Sequence, residues 1–573
     1  MGGGAVAEIL HRVRPAVILT EMNRSSRNGM PHTPFAARKG WHAVTRRSRG
    51  SACRIAPRHA DPLLRNVTAC HPRRVPTTSA WILAAILLAP SVAAVGAESL
   101  QIAVRLDAQA AAQPVTGRVF VFCSQRPGEP RMGPDWFNPE PFFGLDVVKL
   151  KPGDRCTLDD RACGFPGPLS RLPPGKYRVQ AVLDRSLDSP QPGQAVGNLY
   201  GDVQEVRLDA TSSVELVLQH VIPSQPFREL ENYREVSLRS RKLSAFHGRD
   251  VIEHAAVILP PSYQTDAQKR FPVIYVIPGF GGSHRSPQWL WITGPPQADP
   301  GQAEFIRVML SGQCRWGDHE YADSATNGPC GDALVHEMIP YIDEHYRTLP
   351  VSTARFVTGH SSGGWSSLWL QVTYPEVFGG VWSLAPDPVD FHDFQQIDLY
   401  AKPPLSVFRD PQGQRRPIAR IGPTPAVWYE DFSRMDDCLS RGGQLRSFEA
   451  VFSPRGPDGL PRKLWDRTTG QIDPETARAW EKYDIGRTLQ TQWKTLGPKL
   501  QGKLHVAVGD LDTFYLDGAV RRLGETLRRL GSDAVVEIVP GRDHSTLLSR
   551  DRCMKTRRQI GEQFRKNHPA KAQ

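Results

Sequence analysis

The sequence predicts an α/β protein, built on a mostly parallel sheet with helices on both faces, preceded by a small all-β sandwich. Two observations predict this class. From about residue 98 to 225 the chain reads as short alternating strands, and from about 226 to 568 apolar strand-like runs alternate with amphipathic helices. A third observation, 40 % hydrophobic and 23 % charged residues over a length of 573, places the chain among ordinary globular proteins.

The first segment stands apart. Residues 1–79 hold 14 Lys and Arg against 3 Asp and Glu, so they carry nearly all of the formal charge of +12. They show no sustained apolar period and read as a basic, disordered extension. The remaining chain holds 57 basic and 56 acidic residues, a balance that gives no electrostatic footprint for phosphate backbones and argues against a nucleic-acid partner. Arg73 and Arg74 then precede an apolar run from Ala80 to Ala94, and Val95, Gly96 and Ala97 supply small residues before Glu98. That is the layout of a secretory signal peptide over residues 80–97. Pro90 within the run, its short length and the lack of a basic stop-transfer flank argue against a membrane span. The expectation is export to a periplasmic or secreted location, a mature start near Glu98, and membrane contact only through this segment if it stays uncleaved. Such a signal normally opens a chain, which points to a true start downstream of Met1.

Seven of the nine cysteines follow Glu98, an odd number that cannot pair completely within the chain. Cys156 with Cys163, and Cys314 with Cys330, are spaced for local disulfides in an oxidising compartment, although connectivity is not readable from spacing. None has CxxC spacing, so no structural zinc or redox motif is expected.

Within 98–225 the strand signals are QIAVRL (101–106), GRVFVF (117–122), KYRVQAVL (176–183) and VELVLQHV (214–221). The phrase LPPGKYRV sets a Pro-Gly turn directly before a strand, as in a β-sandwich, and the block reads as immunoglobulin-like. A plain packing module is its simplest role, with surface or carbohydrate binding as the functional alternative. After Pro223, VIEHAAVILPP and PVIYVIPG end apolar runs in Pro or Gly. DALVHEMIPYIDEHYR aligns Leu334, Met338, Tyr341 and Ile342 on one helical face. ARFVTG, GGVWSLAP and KLHVAVGD supply further buried strands.

The chemistry begins at Gly359-His360-Ser361-Ser362-Gly363, the one G-x-S-x-G of the chain. It sits where a strand must turn at once into a helix, which holds a serine on a strained elbow with its Oγ clear of the backbone. A serine hydroxyl needs a base, and the base needs a carboxylate to fix its tautomer. Both follow in the order Ser, acid, His. HVAVGDLDTFY runs from a strand into Asp510 and Asp512, and AVVEIVPGRDHSTLL runs from a strand into His544. Asp512 is the favoured acid because it lies deeper in its loop, with Asp510 as the alternative and Asp387 as a third candidate. His360 cannot serve as the base from an adjacent elbow position, and His336 and His345 fall on the surface of a predicted helix. The oxyanion formed on acyl transfer needs two fixed N–H donors. Ser362 and Phe280, the latter in the loop Pro278-Gly279-Phe280-Gly281-Gly282, are the candidates. No G-K-[ST] follows that loop, so it is not a phosphate loop.

With these residues in view, the chain resembles the esterase D, feruloyl esterase and enterochelin esterase-like branch of the α/β-hydrolases, the putative esterase family. The resemblance is carried by ILPPSY (258–263), FPVIYVIPGFGG (271–282), IPYIDEHYRT (339–348), TGHSSGGWSSLWL (358–370), GDLDTFYL (509–516) and GRDHS (541–545), and spans more than half of the chain. It implies an α/β-hydrolase fold and a carboxylic ester hydrolase with a Ser-Asp-His triad, needing no metal and no other cofactor. An all-β leader also occurs in such proteins. Ser362 departs from the Met that many relatives place after the nucleophile, and PGFGG departs from the Asp-Gly form of some members. These departures bear on substrate class more than on mechanism.

The stretch 387–498 between two predicted strands is far longer than a βα link needs and reads as an inserted cap over the site. Trp289, Trp291, Trp316, Trp365 and Trp369 could offer rings to an aryl or sugar group, although most tryptophans in a domain of this size are core. The expectation is therefore an exported serine esterase acting through an acyl-enzyme on a small-molecule or carbohydrate-linked ester. An acyltransferase of the same fold and a non-catalytic surface- or carbohydrate-binding homologue are the alternatives. The sequence does not set the acyl group, the alcohol or the oligomeric state.

Overall fold

Eight strands form the sheet of the C-terminal region, and their composition explains their place in it. In the computed structural model, which describes residues 99–286 and 303–569, these strands are β1 (Tyr233–Arg239), β2 (Ile252–Ile258), β3 (Val273–Ile277), β4 (Ile306–Leu310), β5 (Arg355–His360), β6 (Val381–Leu384), β7 (Leu504–Gly509) and β8 (Val535–Val539). Their spatial order is β1-β2-β4-β3-β5-β6-β7-β8. β1, β2 and β4 pair antiparallel, whereas β4, β3 and every strand onward to β8 run parallel. β3 reads VIYVI and is buried at every position, because helices cover both faces of a parallel sheet. The carboxyl ends of β3, β5, β7 and β8 therefore open toward one rim, where loops carry side chains on a rigid frame.

Ahead of this sheet, two all-β sheets enclose a core of their own. One has three strands and the other seven. In the strand Val115–Ser124, Val119, Val121 and Cys123 point into that module's core together with Phe143, Val179, Ala181 and Leu183. The alternate residues Phe120 and Phe122 join Phe142, Phe165 and Val182 in the core shared with the C-terminal region. A two-residue side-chain period thus buries both faces of one strand against different partners. Polar contacts fix the same seam. The Arg118 guanidinium donates to the Cys438 carbonyl at 3.0 Å, and Arg441 pairs with Asp184 at 3.4 Å. All described residues belong to one compact unit, Ala97–Gln573.

Between β6 and β7 lie a hairpin, Pro417–Ile421 with Thr424–Trp428, and several helices, among them α1 (Tyr429–Leu439) and α2 (Gln444–Phe452). Phe391, Phe394, Phe448, Phe452 and Trp480 of this stretch pack ring against ring. The basic extension and the signal segment fall outside the described residues, as do Trp289 and Trp291. Trp365 is fully buried and stacks on Trp369 at 5.3 Å, a core role. Spacing allowed local disulfides, but the seven described cysteines are all unbridged. The thiol of Cys438 instead donates to the Cys163 carbonyl at 2.9 Å, and that of Cys330 to the Asn327 carbonyl at 3.4 Å.

The shared core predicts one cooperative transition for the β-module and the C-terminal sheet together. Phe122→Ala should lower unfolding free energy by about 3 kcal/mol, the ordinary cost of truncating a buried phenylalanine, and shift that single transition in thermal or urea denaturation. Two separable transitions would show that the two regions fold independently.

Candidate active site

The site starts from a backbone reversal. β5 ends at His360, and helix α3 (Ser362–Thr373) begins at once, leaving Ser361 between them with φ 61° and ψ −127°. A non-glycine residue is strained there and persists only because its surroundings hold it. Two glycines make the reversal sterically feasible. A Cβ on Gly359 would lie 2.0 Å from the Gly363 carbonyl oxygen, and one on Gly363 would lie 2.1 Å from the Ile277 carbonyl oxygen. The elbow predicted from the sequence is therefore present in the backbone, with Ser361 at its apex.

The loop after β3 comes directly against this serine. A Cβ placed on Gly279 would stand 3.0 Å from Ser361 Cβ and 3.7 Å from its Oγ, so the backbone leading into Phe280 is in contact with the hydroxyl-bearing residue. Side chains from two separate regions steady the loop. Gln313 donates to the Gly281 carbonyl at 2.9 Å, and Gln191 of the β-module donates to the same oxygen at 3.3 Å. Ser362 opens α3, where the first amides of a helix have no partner within it.

The loops after β7 and β8 supply the acid and the imidazole. His544 Nδ1 lies 2.8 Å from Asp512 Oδ2, and both residues are buried. The other oxygen of Asp512 accepts from the amides of Phe514 at 2.9 Å and Leu516 at 3.3 Å. A carboxylate can only accept, so the proton of His544 sits on Nδ1 and leaves Nε2 with a free lone pair. Burial opposes protonation of His544, but the charge and hydrogen bond of Asp512, together with the charge of Asp387, outweigh it and raise its pKa above the ordinary imidazole value. Asp510, the alternative acid, does something else: it accepts from the Gly541 amide at 2.7 Å and ties down the loop that carries His544. Asp387, the third candidate, accepts from Ser362 Oγ at 2.6 Å.

His360 is kept neutral. Burial, helped by neighbouring His544, pushes its pKa down to about 3. Its Nε2–H donates to the His544 carbonyl at 2.9 Å, and the two rings lie 4.4 Å apart. The residue next to the elbow serine thus holds the imidazole loop over the end of β5. His336 and His345 are exposed, as expected for the outer face of their helix.

The model of the family described as Putative esterase matches residues 251–546, a span that contains the elbow, the acid loop and the imidazole loop. The chain belongs to that family. It is a carboxylic ester hydrolase of the serine-hydrolase type on an α/β-hydrolase fold. Among solved structures it is similar to a ferulic acid esterase at 15 % identity and a TM-score of 0.37, covering 58 % of this chain and 98 % of that one. It is also similar to an S-formylglutathione hydrolase from Agrobacterium tumefaciens at 14 % identity and a TM-score of 0.34, covering 57 % and 95 % of the two chains. A ferulic acid esterase from Anaeromyces mucronatus matches at 15 % identity and a TM-score of 0.31, over 59 % and 92 %.

In this esterase several contributors to the site carry no sequence motif. Arg420, on the hairpin between β6 and β7, donates to the Asp512 carbonyl at 2.8 Å and the Asp510 carbonyl at 3.1 Å and pairs with Asp517 at 3.2 Å, clamping the acid loop. Gln444 of α2 reaches Asp387 at 3.3 Å and Ser362 Oγ at 3.4 Å. Burial pushes Asp387 up to about 6, against the Ser362 hydrogen bond that favours its charged form. Trp136 of the β-module also approaches the site. Their side chains meet it only through tertiary packing, which local periodicity does not encode.

One group of described residues has the donor types of a metal site. Ligand atoms of Glu235, His254 and His284 lie within 4.8 Å of one another. That group already contains a cation, since Arg285 bonds Glu235 at 2.7 Å and lies 3.2 Å from His284 Nε2. Burial pushes His284 down to about 4, which keeps it neutral beside the guanidinium. The arrangement is an ion pair with stacked imidazoles at the outer end of the sheet.

The pKa of His544 sets a testable pH dependence. General-base action needs the neutral ring, so kcat/KM should fall as pH drops through the pKa of the folded, free enzyme. Because that pKa is raised, the acid limb should lie above the ordinary imidazole range. Asp512→Asn should move the limb to lower pH and cut kcat by about 10³–10⁴-fold, the scale of losing a triad carboxylate. A limb that stays in place in that variant would contradict the assignment of Asp512 as the partner.

Proposed function

We propose that this esterase cleaves its substrate by nucleophilic attack of Ser361 through an acyl-enzyme, with His544 as the base and Asp512 as the group that orients it. The observation that carries this reading is the buried 2.8 Å contact between Asp512 and His544 Nδ1, on loops that adjoin a serine held in a strained elbow. In the first half-reaction His544 Nε2 takes the Ser361 hydroxyl proton as Oγ bonds to the ester carbonyl carbon. The negative charge collected on the carbonyl oxygen is held by the amides of Phe280 and Ser362. Collapse expels the alcohol, which receives the proton from His544. In the second half-reaction the same imidazole activates a water that releases the acid and restores Ser361.

The protonated imidazole formed in each half-reaction faces a carboxylate that is already desolvated and aligned, so little reorganisation is needed when charge develops. The contact between Ser362 Oγ and Asp387 supports this reading, because it fixes the residue whose amide is proposed to face the oxyanion. Gly279 supports it from the other side by letting the loop backbone reach Ser361. The immunoglobulin-like reading of the β-module is likewise a proposal, supported by two sheets that share one core. Export through residues 80–97 is another, supported by the basic, apolar and small-residue order of that segment.

Ser361→Ala should leave the fold and its melting behaviour intact while reducing ester turnover by several orders of magnitude. A fluorophosphonate probe should label the wild-type chain on Ser361 and fail to label the variant. Full turnover by Ser361→Ala, or labelling at another serine, would refute the assignment.

A further inference from the structure

The β-module reaches into the catalytic rim through one loop. Between its strands Val115–Ser124 and Phe142–Leu150, the chain presents Asp135-Trp136-Phe137. The loop is internally fixed. Asp135 accepts from the amides of Phe137 at 2.8 Å and Asn138 at 3.0 Å, and Arg126 donates to the Asn138 carbonyl at 2.7 Å. Glu140 closes its far end by accepting from the Gln125 amide at 2.7 Å and from Ser124 Oγ at 2.6 Å.

The indole of Trp136 meets three other segments. Its ring lies 5.2 Å from Phe432 of α1 in an edge-on arrangement, 5.6 Å from Phe280, and 6.1 Å from Phe514, again edge-on. Phe280 is the residue whose amide is proposed to face the oxyanion. Phe514 follows Asp512 by two positions, and its ring stands edge-on to His544 at 5.0 Å. Phe137 lies 6.4 Å from Phe514 and is 42 % exposed. Phe432 is buried, whereas Trp136, Phe280 and Phe514 are each only half-buried. A cluster that served only to join the β-module to the rest would bury these faces, as Phe120 and Phe122 do at the seam.

We infer that Trp136, with Phe280 and Phe514, forms a substrate-binding wall for a flat aryl group of the ester, so that the β-module supplies a specificity-determining residue to the active site. This rests on the proposed roles of Ser361 and His544. Aromatic side chains recognise planar rings by offset and edge-on contacts, and a wall whose members are attached to both the oxyanion loop and the acid loop holds such a ring beside the scissile bond. Trp136 touches no reacting atom in this account and acts through substrate binding alone.

The test compares full-length wild type with Trp136→Ala and Trp136→Phe on three esters: methyl butanoate, with no ring; methyl 3-phenylpropanoate, with the ring on the acyl side; and phenyl butanoate, with the ring on the alcohol side. Variant-to-wild-type ratios cancel the intrinsic reactivity of each ester. Trp136→Ala should lower kcat/KM for at least one ring-bearing ester by about tenfold, mainly through KM, which is the scale of one aromatic contact with its buried area. Methyl butanoate should change by less than about twofold, and Trp136→Phe should restore most of the loss. The ester that responds identifies the side on which the ring binds. A parallel fall on all three esters, no change on any, or slower fluorophosphonate labelling of Ser361 in Trp136→Ala would overturn the inference. Wild-type chain that the probe leaves unlabelled would instead refute the triad reading and take this subsite with it.

Discussion

A carboxylate removed from water must be met by hydrogen-bond donors, and the organisation of this site follows from how Asp512 is met. One oxygen takes two amides of its own loop and the other takes His544 Nδ1, so the buried charge is compensated only when the imidazole is seated. Other contacts work to keep it so. Arg420 grips the carbonyls of the acid loop, Asp510 pins Gly541, and His360 holds the His544 carbonyl. The geometry of three loops thus converges on a single desolvated pair.

The all-β region is part of the same physical unit. Its strand Val115–Ser124 alternates between two cores, its Arg118 and Asp184 bond to the segment between β6 and β7, and its Gln191 helps to hold the loop that faces Ser361. A module attached in this way can place groups at the rim. A loosely tethered appendage would have no means of holding an indole against Phe280 and Phe514.

Much of this was legible in the sequence because it is written in local pattern. Apolar runs that end in Gly or Pro mark β3, β5 and β7, and G-x-S-x-G marks the reversal at Ser361, since glycine is needed where Gly359 and Gly363 approach other backbone. Ser361, Asp512 and His544 lie beyond the ends of β5, β7 and β8, and the structure brings the second and third together. Loop depth favours Asp512 over Asp510; in the structure Asp512 contacts His544, whereas Asp510 accepts from the Gly541 amide. What was not legible depends on distant packing. Cysteine spacing permits bridges that the fold does not form: Cys156 contacts the Val104 carbonyl, and Cys314 and Cys330 both contact Asn327. Of the tryptophans that sequence position marks, Trp365 is core, whereas Trp136 carries no local signal because its neighbours Phe432 and Phe514 are far along the chain.

The most direct measurement is the proton NMR spectrum of the resting enzyme in the far-downfield region where imidazole N–H protons bonded to carboxylates resonate. A signal from His544 Nδ1–H is expected, present in wild type and in Asp387→Asn and lost in Asp512→Asn. A signal that survives in Asp512→Asn, or that disappears in Asp387→Asn, would mean that a different carboxylate holds the imidazole.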